Sequence, residues 1–405
     1  MTQLNFTLDY EFLVGLFSEG QEKAFGKLMQ EILNQFIKFE SAQLLGADPH
    51  ERTDNRTDYR NGERARPVTT RIGNIILTIP RHRHVPFKSH VLESYRRNER
   101  ALICTMIEMV VNGVSTRKIA KVTEELCGKA FSKSTVSELC KELDPMIKEF
   151  RARKLDDTYP FVMVDATYIK VRKNHKVKSK ALFVALGYNS DGRKEVLGFD
   201  IYDSETQENW EEFLFELKSR GLKKPDLLIS DNHTGLKNAF AMVYEGVSWQ
   251  RCQVHFRRNI LDQTPKKHHV SLKEDLTEMF NKENKEEAEA KMDEIISKYG
   301  EVAEKAMEIL EKGFNETMTI MSLPQKYRVT LRSTNAIERE NLELKRRSNV
   351  IGIFPNEDSV IRLLGAILID RHEESLLKGK SFDMGMYWRE RNEIIEKIPK
   401  LELVA

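Results

Sequence analysis

Cysteine is scarce in this sequence and never paired. Cys104, Cys127, Cys140 and Cys252 lie far apart with no Cys-x-x-Cys, which argues against a disulfide framework or a four-cysteine zinc site and fits a reducing cytoplasm. Long apolar runs are missing too, so no segment is expected to span a bilayer and no membrane partner is expected. The N-terminal MTQLNFTLDYEF lacks the basic-then-apolar layout of a signal peptide. A cytoplasmic location follows as an expectation. There is no short internal repeat and no low-complexity tract. Net charge is nearly absent: 65 Lys and Arg against 63 Asp and Glu give +2. The bulk charge therefore carries little information, and the pattern of charge carries more.

What is present is a chain of 405 residues, 40% hydrophobic and 32% charged, enough for a buried core and about two to four domains. Residues 1–47 form a first region, helical from about residue 8, with Phe25, Leu28, Ile32 and Phe36 at spacings of three and four. It is a packing or dimerisation helix. Residues 48–100 begin with polar, turn-rich sequence and then read as a hairpin, Val68–Ile72 and Ile75–Ile79 about a Gly73-Asn74 turn. Arg60, Arg64, Arg66, Arg71, Arg81, Arg83, Lys88, Arg96 and Arg97 make this stretch basic. Its arginine excess suits phosphate contact, with Arg81 and Arg83 as candidates, although a solvated surface would look similar. Residues 101–150 read as a helix-turn-helix DNA-binding domain, with Ser132 and Ser134 as caps and Ser134 and Thr135 opening a recognition helix.

From residue 155 the pattern changes to strands. Residues 161–172, 180–188 and 194–202 predict an antiparallel meander, followed by a helix, the short strand DLLISD, a second helix and the strand VSWQRC. That order is that of a ribonuclease H-like α/β fold, with a mixed sheet between helices. The first part of this core is expected over 155–256. An all-helical insertion rich in Glu, Lys, Ala and Met follows over 257–328, and the last part of the core with C-terminal helices over 329–405, including an amphipathic helix near 358–378.

Two apolar strands each end in an aspartate, FVMVD at Asp165 and DLLISD at Asp231. Buried strands rarely carry charge, so both are expected at strand ends where ligands collect in open α/β sheets. If the strands are neighbours, the two carboxylates repel unless a cation lies between them, and Mg2+ suits oxygen ligands. The alternative is that Asp231 caps the helix over 235–244 and Asp165 makes a turn. For a third acid, STNAIERENLELKRRS offers Glu338, Glu340 and Glu343. At about 100° per residue, Glu338 falls in the apolar arc with Leu342, Ile337 and Leu344, while Glu340 and Glu343 fall on the polar face. Glu338 is therefore the candidate, with a capping box to Asn335 as its rival explanation. Two ions, Mg2+ or Mn2+, would activate a water or a DNA 3′-hydroxyl and offset charge on the phosphate. Arg257, Arg258, Lys345, Arg346 and Arg347 flank the acids and suit DNA phosphates, or a solvated helix end favoured by the macrodipole.

These segments resemble the bacterial Mutator-type insertion-sequence transposases over nearly the whole chain. The resemblance is carried by VMVDATYIKVR (162–172), LLISDNHTGLKNAF (227–240), WQRCQVHFRRNI (249–260) and RSTNAIERENLELKRRSNVIGIFPN (332–356). It implies a DDE triad of Asp165, Asp231 and Glu338, a ribonuclease H-like domain interrupted by the helical insertion, and an active homodimer. It also implies binding to the terminal inverted repeats of the element and to target DNA, with nucleoid association when DNA is bound. The family's Cys-x-x-His signature is matched by Cys252 and His255, for which a structural or DNA-positioning role is expected. Half a zinc site, completed by His268 or His269 from a polar loop, is the alternative. A nuclease that cuts without joining and a DNA-binding regulator with a dead core are the rival functions, and the presence of all three acids argues against the second.

Overall fold

A computed structural model describes residues 7–18, 21–51, 53, 55–70, 73–89, 100–127 and 130–401. The chain divides into two compact units, Met1–Glu142 and Leu143–Ala405. No helix of the described residues is long and apolar enough to cross a membrane.

The first unit contains α1 (Tyr10–Ser18), α2 (Gln21–Leu45), the antiparallel pair β1 (Arg60–Thr70) and β2 (Gly73–His82), and α3 (Arg100–Val111), α4 (Thr116–Cys127) and α5 (Lys133–Leu139). The face of α2 that packs is not the expected one. Ile37 and Leu33 meet Val68, Ile75, Leu77 and Ile79 of the hairpin, whereas Phe25 is exposed. The packed face also carries polar groups that an apolar pattern does not register. Gln30 and Asn34 accept the backbone N–H groups of Ile76 and Thr78 at 3.0 and 2.8 Å, which satisfies donors on an edge strand. The hairpin is also longer than expected. Pairing reaches back to Arg60, whose guanidinium donates to the carbonyls of Ala47 and Asp48. Buried Asp58 collects the N–H groups of Val85, His84 and Tyr59, and these bonds hold its carboxyl down at about 2. Gly73 and Asn74, expected as the turn, pair with Thr70 and Thr69 inside the sheet. The connecting residues 71–72 lie outside the described residues, as do Arg96 and Arg97.

Helices α3 to α5 close around Leu102, Ile103, Met106, Ile119, Phe131 and Val136. The third helix is shorter than the sequence suggests. It stops at Leu139, and α6 (Asp144–Ala152) begins separately in the second unit with Pro145 in its first turn, where proline is tolerated.

The second unit is built on β3 (Phe161–Lys173), β4 (Lys176–Tyr188), β5 (Lys194–Tyr202), β6 (Leu227–Ser230) and β7 (Trp249–Arg251). Their order in the sheet is β5-β4-β3-β6-β7. The first three strands are antiparallel, and β6 and β7 run parallel to β3. The expected meander and its alternation with helices are both present. The β3–β4 hairpin is longer than expected because Asn174 and His175, at φ 51° and 62°, form a tight two-residue connection matched to strand twist.

Helices α7 (Gln207–Ser219) and α8 (Thr234–Val243) cover one face of the sheet. There Trp210 stacks on Phe183 with ring centroids 3.6 Å apart, among Val162, Val164, Phe213 and Phe240. Alternation along β3 sends Phe161, Met163 and Asp165 to the other face. Four helices then build a core of their own around Phe256, Leu272, Leu276, Leu310 and Phe314: α9 (Gln253–Asp262), α10 (His269–Phe280), α11 (Lys285–Tyr299) and α12 (Glu304–Met318). Helices α13 (Gln325–Leu331), α14 (Asn335–Ile351), α15 (Glu357–Leu377) and α16 (Gly385–Lys397) complete the unit. On the second face Phe161 meets Tyr327 and Tyr387 edge to face or tilted.

Helix α15 is not the amphipathic helix that the sequence predicts. Leu363 to Ile369 are buried at every consecutive position, so the middle of this helix is enclosed all round. A Cβ added at Gly365 would lie 2.8 Å from the Phe199 ring and 3.2 Å from Ile147. Alanine gains about 1 kcal/mol in helix propensity over glycine, but overpacking a core costs about 1–3 kcal/mol. Packing should win. Gly365→Ala is expected to lower the thermal midpoint by a few degrees, and an unchanged or higher midpoint in a melting experiment would contradict this reading.

Candidate active site

Strand β6 pairs with β3 only from Phe161–Leu227 to Met163–Ile229. Carried on by two residues, that parallel register sets Asp165 beside Asp231. Asp165 therefore lies within β3, not at its end as the sequence reading placed it. It meets the end of its shorter neighbour instead, which opens the sheet on that side. Asp231 follows the last residue of β6. The alternative roles for both residues fail. Helix α8 is capped by the His233 ring, which accepts the Leu236 N–H, and Asp165 is in no turn.

Burial and the charge of Asp231 push the Asp165 carboxyl up to about 7. Two donors partly offset this: the Ala166 N–H to Oδ1 at 2.9 Å and the Asn341 side-chain amide to Oδ2 at 2.8 Å. Asn341 belongs to α14, so α14 lies across the β3 face that carries Asp165. Beyond the helix, Phe354 donates to Lys170 and accepts from Arg172, tying the C-terminal side of α14 to the far half of the same strand.

The first turn of α14 is fixed from the other side. Cys252 caps the start of α9, and its N–H donates to the Ser230 carbonyl at the end of β6. The N–H of Gln253 donates to the Arg332 carbonyl. The Thr334 N–H and hydroxyl reach Cys252 Sγ at 3.4 and 3.2 Å. The same hydroxyl lies 2.8 Å from Glu338 Oε1. Glu338 Oε1 is 3.8 Å from His255 Nε2, with both side chains about a quarter exposed. The hydrogen bond to the Cys252 thiol raises the His255 imidazole to about 9, and the charges of Glu338 and Asp231 add to this. Burial alone would push the Cys252 thiol up, but bonds from His255 and Thr334 bring it below its ordinary value.

Helix α14 presents its acids differently from the sequence expectation. Its buried positions are Ile337, Glu340, Asn341, Leu344 and Ser348, while Leu342, placed in the apolar arc, is exposed. Glu338 therefore flanks the core face, and Glu340, expected on the polar face, is buried within it. Glu340 accepts from Lys194 at 2.6 Å and from Arg371 at 2.7 Å. These bonds offset the cost of burial and keep its carboxyl below the ordinary range. A hydrophobicity pattern counts glutamate as polar, so it could not register that these distant cations bury Glu340. The rival explanation, a capping box from Asn335, is absent as well. Thr334 is the N-cap, Asn335 is the first helical residue, and Glu338 takes the Thr334 hydroxyl.

A profile of the Mutator family of transposases matches residues 2–376. The chain belongs to that family. It is 40% identical over 386 residues to the transposase for insertion sequence element IS256 in transposon Tn4001 of Staphylococcus aureus, covering 94% of this chain and 99% of the relative. It is 38% identical to the transposase for element ISRM5 of Rhizobium meliloti, covering 88% and 90%, respectively. It is 33% identical to the transposase for element IS1081 of Mycobacterium tuberculosis, covering 86% and 85%.

Several basic residues singled out in this Mutator-family sequence already have partners. Arg346 and Arg347 both bind Glu343, at 2.8 and 2.7 Å, and Arg257 donates to Thr277 at 3.3 Å. Arg258 and Lys345 are exposed on α9 and α14. In the first unit Arg81 and Arg83 are exposed, while the hydroxyls of Ser134 and Thr135 each lie 2.8 Å from the Ser132 cap. His268 and His269 are helical instead of lying in a loop, and the His269 ring contacts the Thr264 carbonyl. Sequence reasoning missed Asn341, Thr334 and Glu205. Burial raises the Glu205 carboxyl, and the charge of Asp231 adds to it. Nothing in the spacing of these three residues announces them, because each acts through a contact made in space.

The two acids of α14 should separate experimentally. Glu340→Gln removes a buried charge shared by two partly exposed cations, a loss of about 2 kcal/mol and about 5 °C in the melting midpoint of a unit this size. Glu338→Gln should leave the midpoint within about 1 °C, since solvent already reaches that side chain. Melting curves that reverse this order would refute the assignment of the two faces.

Proposed function

We propose that this Mutator-family chain is a DNA transposase. It acts as a homodimer on the terminal inverted repeats of its element and on target DNA, cleaving and transferring strands with Asp165, Asp231 and Glu338. The observation that carries the reading is the Asp165–Asp231 pair, two carboxylates forced together by strand register, one of them raised to about 7 partly by the other. Like charges in a poorly solvated place are most simply stabilised by a cation, and an all-oxygen donor set suits Mg2+ or Mn2+. The strand order, three antiparallel then two parallel, also supports a ribonuclease H-like core, and α9 to α12 stand where an insertion would. Its relatives' names, insertion-sequence transposases, point the same way.

Two divalent ions held by Asp165, Asp231 and Glu338 would lower the pKa of a water or 3′-hydroxyl nucleophile and offset charge on the phosphate and the leaving oxygen. The chain's own contribution is positional. Asn341 keeps one Asp165 oxygen turned away from free rotation. Thr334 holds one Glu338 oxygen and leaves the other free to act as a ligand. Arg257, Arg258, Lys345, Arg346 and Arg347 are proposed to hold phosphates on either side of the acids. Ser134, Thr135, Arg81 and Arg83 are proposed to contact DNA from the first unit.

The test is incubation of the protein with end DNA and Mg2+ or Mn2+, with nicks mapped at nucleotide resolution. Asp165→Asn, Asp231→Asn and Glu338→Gln should each cut nicking by about a thousandfold or more, with DNA binding in a mobility-shift assay within about threefold of wild type. Any one of the three that nicks at the normal rate removes that residue from the triad.

A pH dependence follows for the metal-free protein. A group raised to about 7 holds its proton below that pH, so proton and cation compete for Asp165. Calorimetric Mn2+ affinity should drop about fivefold from pH 7 to pH 6 and level off above about pH 8. An affinity that is flat from pH 6 to 8 would show that Asp165 does not titrate there.

A further inference from the structure

Cys252, His255 and Glu338 form a cluster that the chemistry above uses only in part. Cys252 and His255 are three residues apart at the start of α9, hence on one face of that helix, and Glu338 reaches them from the first turn of α14. The thiol sulfur, an imidazole nitrogen and a carboxylate oxygen all lie within 4.8 Å of one another, and among the described residues this is the group of three that could hold one metal ion. The His255–Glu338 separation of 3.8 Å is too long for a hydrogen bond. It does match the edge of a coordination tetrahedron, since bonds of about 2.0–2.3 Å set ligand atoms about 3.3–3.8 Å apart. Cys252 is wholly buried, while the other two side chains are partly exposed, so an ion could enter from their side. The Thr334 N–H and hydroxyl lie against Cys252 Sγ and the hydroxyl against Glu338, as outer groups that orient ligands do.

We propose that Cys252, His255 and Glu338 bind one thiophilic divalent cation, Zn2+ by its ligand chemistry, and that this cation competes for Glu338 with the Mg2+ of the acid site. A thiolate beside an imidazole selects Zn2+ over Mg2+, whereas the paired aspartates favour Mg2+. Among the described residues no fourth His, Cys, Asp or Glu joins this group, which leaves a fourth position to water. A Glu338 carboxylate bound to Zn2+ beside Cys252 and His255 is not available to an ion on Asp165 and Asp231, so bound Zn2+ inhibits. The binding stands on the geometry alone, while the inhibition rests on Glu338 being the third acid of the transposase reading.

Co2+ added to the full-length protein is the probe, because a tetrahedral thiolate site gives it intense visible bands and a sulfur-to-cobalt charge-transfer band. Wild type should bind one equivalent with both features, and Zn2+ should bleach them. Cys252→Ser should lose the charge-transfer band. His255→Ala, a change at a partly exposed residue that leaves the thiol in place, should weaken Co2+ binding at least tenfold, and Asp165→Asn should leave the spectrum unchanged. No charge-transfer band in wild type, or a band that survives Cys252→Ser, would overturn the site. In Mg2+-supported nicking, Zn2+ should inhibit wild type and excess Mg2+ should relieve it, with the half-inhibiting Zn2+ concentration at least tenfold higher in His255→Ala relative to its own uninhibited rate. Equal inhibition of both proteins would overturn the competition. Absence of nicking under every condition, with the cobalt spectrum intact, would sink the transposase reading and leave the cation site standing.

Discussion

Strand β6 is short, and its parallel register with β3 ends before Asp165 and Asp231 do. This one constraint brings two negative charges side by side on the open part of a sheet whose remaining centre is apolar. Burial raises the Asp165 carboxyl, and the like charge of Asp231 beside it raises it further. The rest of the unit answers it locally. Asn341 and the Ala166 N–H donate to Asp165, and His255, raised by the hydrogen bond to the Cys252 thiol and further by nearby charge, adds a positive group. A protein folding for stability alone would place an alanine or a valine at one of these positions. Retaining both acids costs stability in the absence of a cation, and that is why the pair carries the functional reading.

Helix α14 serves two purposes on adjacent faces. On the core side, Glu340 binds Lys194 and Arg371 and joins the helix to β5 and α15. Such a bridge does little for net stability but leaves few alternative packings once Glu340 is buried between its two partners. On the flank, Glu338 is held by a single hydroxyl. A fixed helix with one loosely held carboxylate suits a ligand that must meet an ion at a set position. The burial of the two glutamates is the reverse of what the sequence projection placed, with Glu340 enclosed and Glu338 partly exposed. The 100° projection assumed that the packed arc would centre on apolar side chains. In fact it centres between Ile337, Asn341 and Leu344, and a glutamate joins it because two cations from elsewhere in the chain come to meet it.

Much of the sheet was legible because its information is local. The meander, the two strand-terminal apolar runs and the helical stretch after Cys252 each follow from periodicity within about ten residues. The misreadings share the opposite property. Asp165 continues inside β3 because β3 is thirteen residues long, and the strand's outer half is alternately polar, so the apolar run marked only its buried half. The α2 face includes Gln30 and Asn34 because strand β2 needed acceptors. Helix α15 looked one-sided, but its middle, Leu363 to Ile369, is buried all round between neighbours far away in sequence. In every case a partner distant in sequence supplied what the local pattern could not contain. Thr334, which touches both Cys252 and Glu338, is the clearest example within the site itself.

The near-zero net charge can be reconciled with a nucleic-acid partner through the same pairs. Exposed ion pairs contribute about 0–1 kcal/mol, so Arg346, bound to Glu343 on the exposed side of α14, gives up little when it turns to a phosphate. Arg347 is more enclosed, and its release would cost more. On the proposed function, Glu343 therefore acts as a placeholder: it keeps the arginines extended and oriented while DNA is absent, and it is displaced by a stronger bidentate acceptor when DNA arrives. A chain built in this way need not carry a large positive surplus. On that reading, binding exchanges the Glu343 carboxylate for phosphate at Arg346 and Arg347 instead of adding charge to charge.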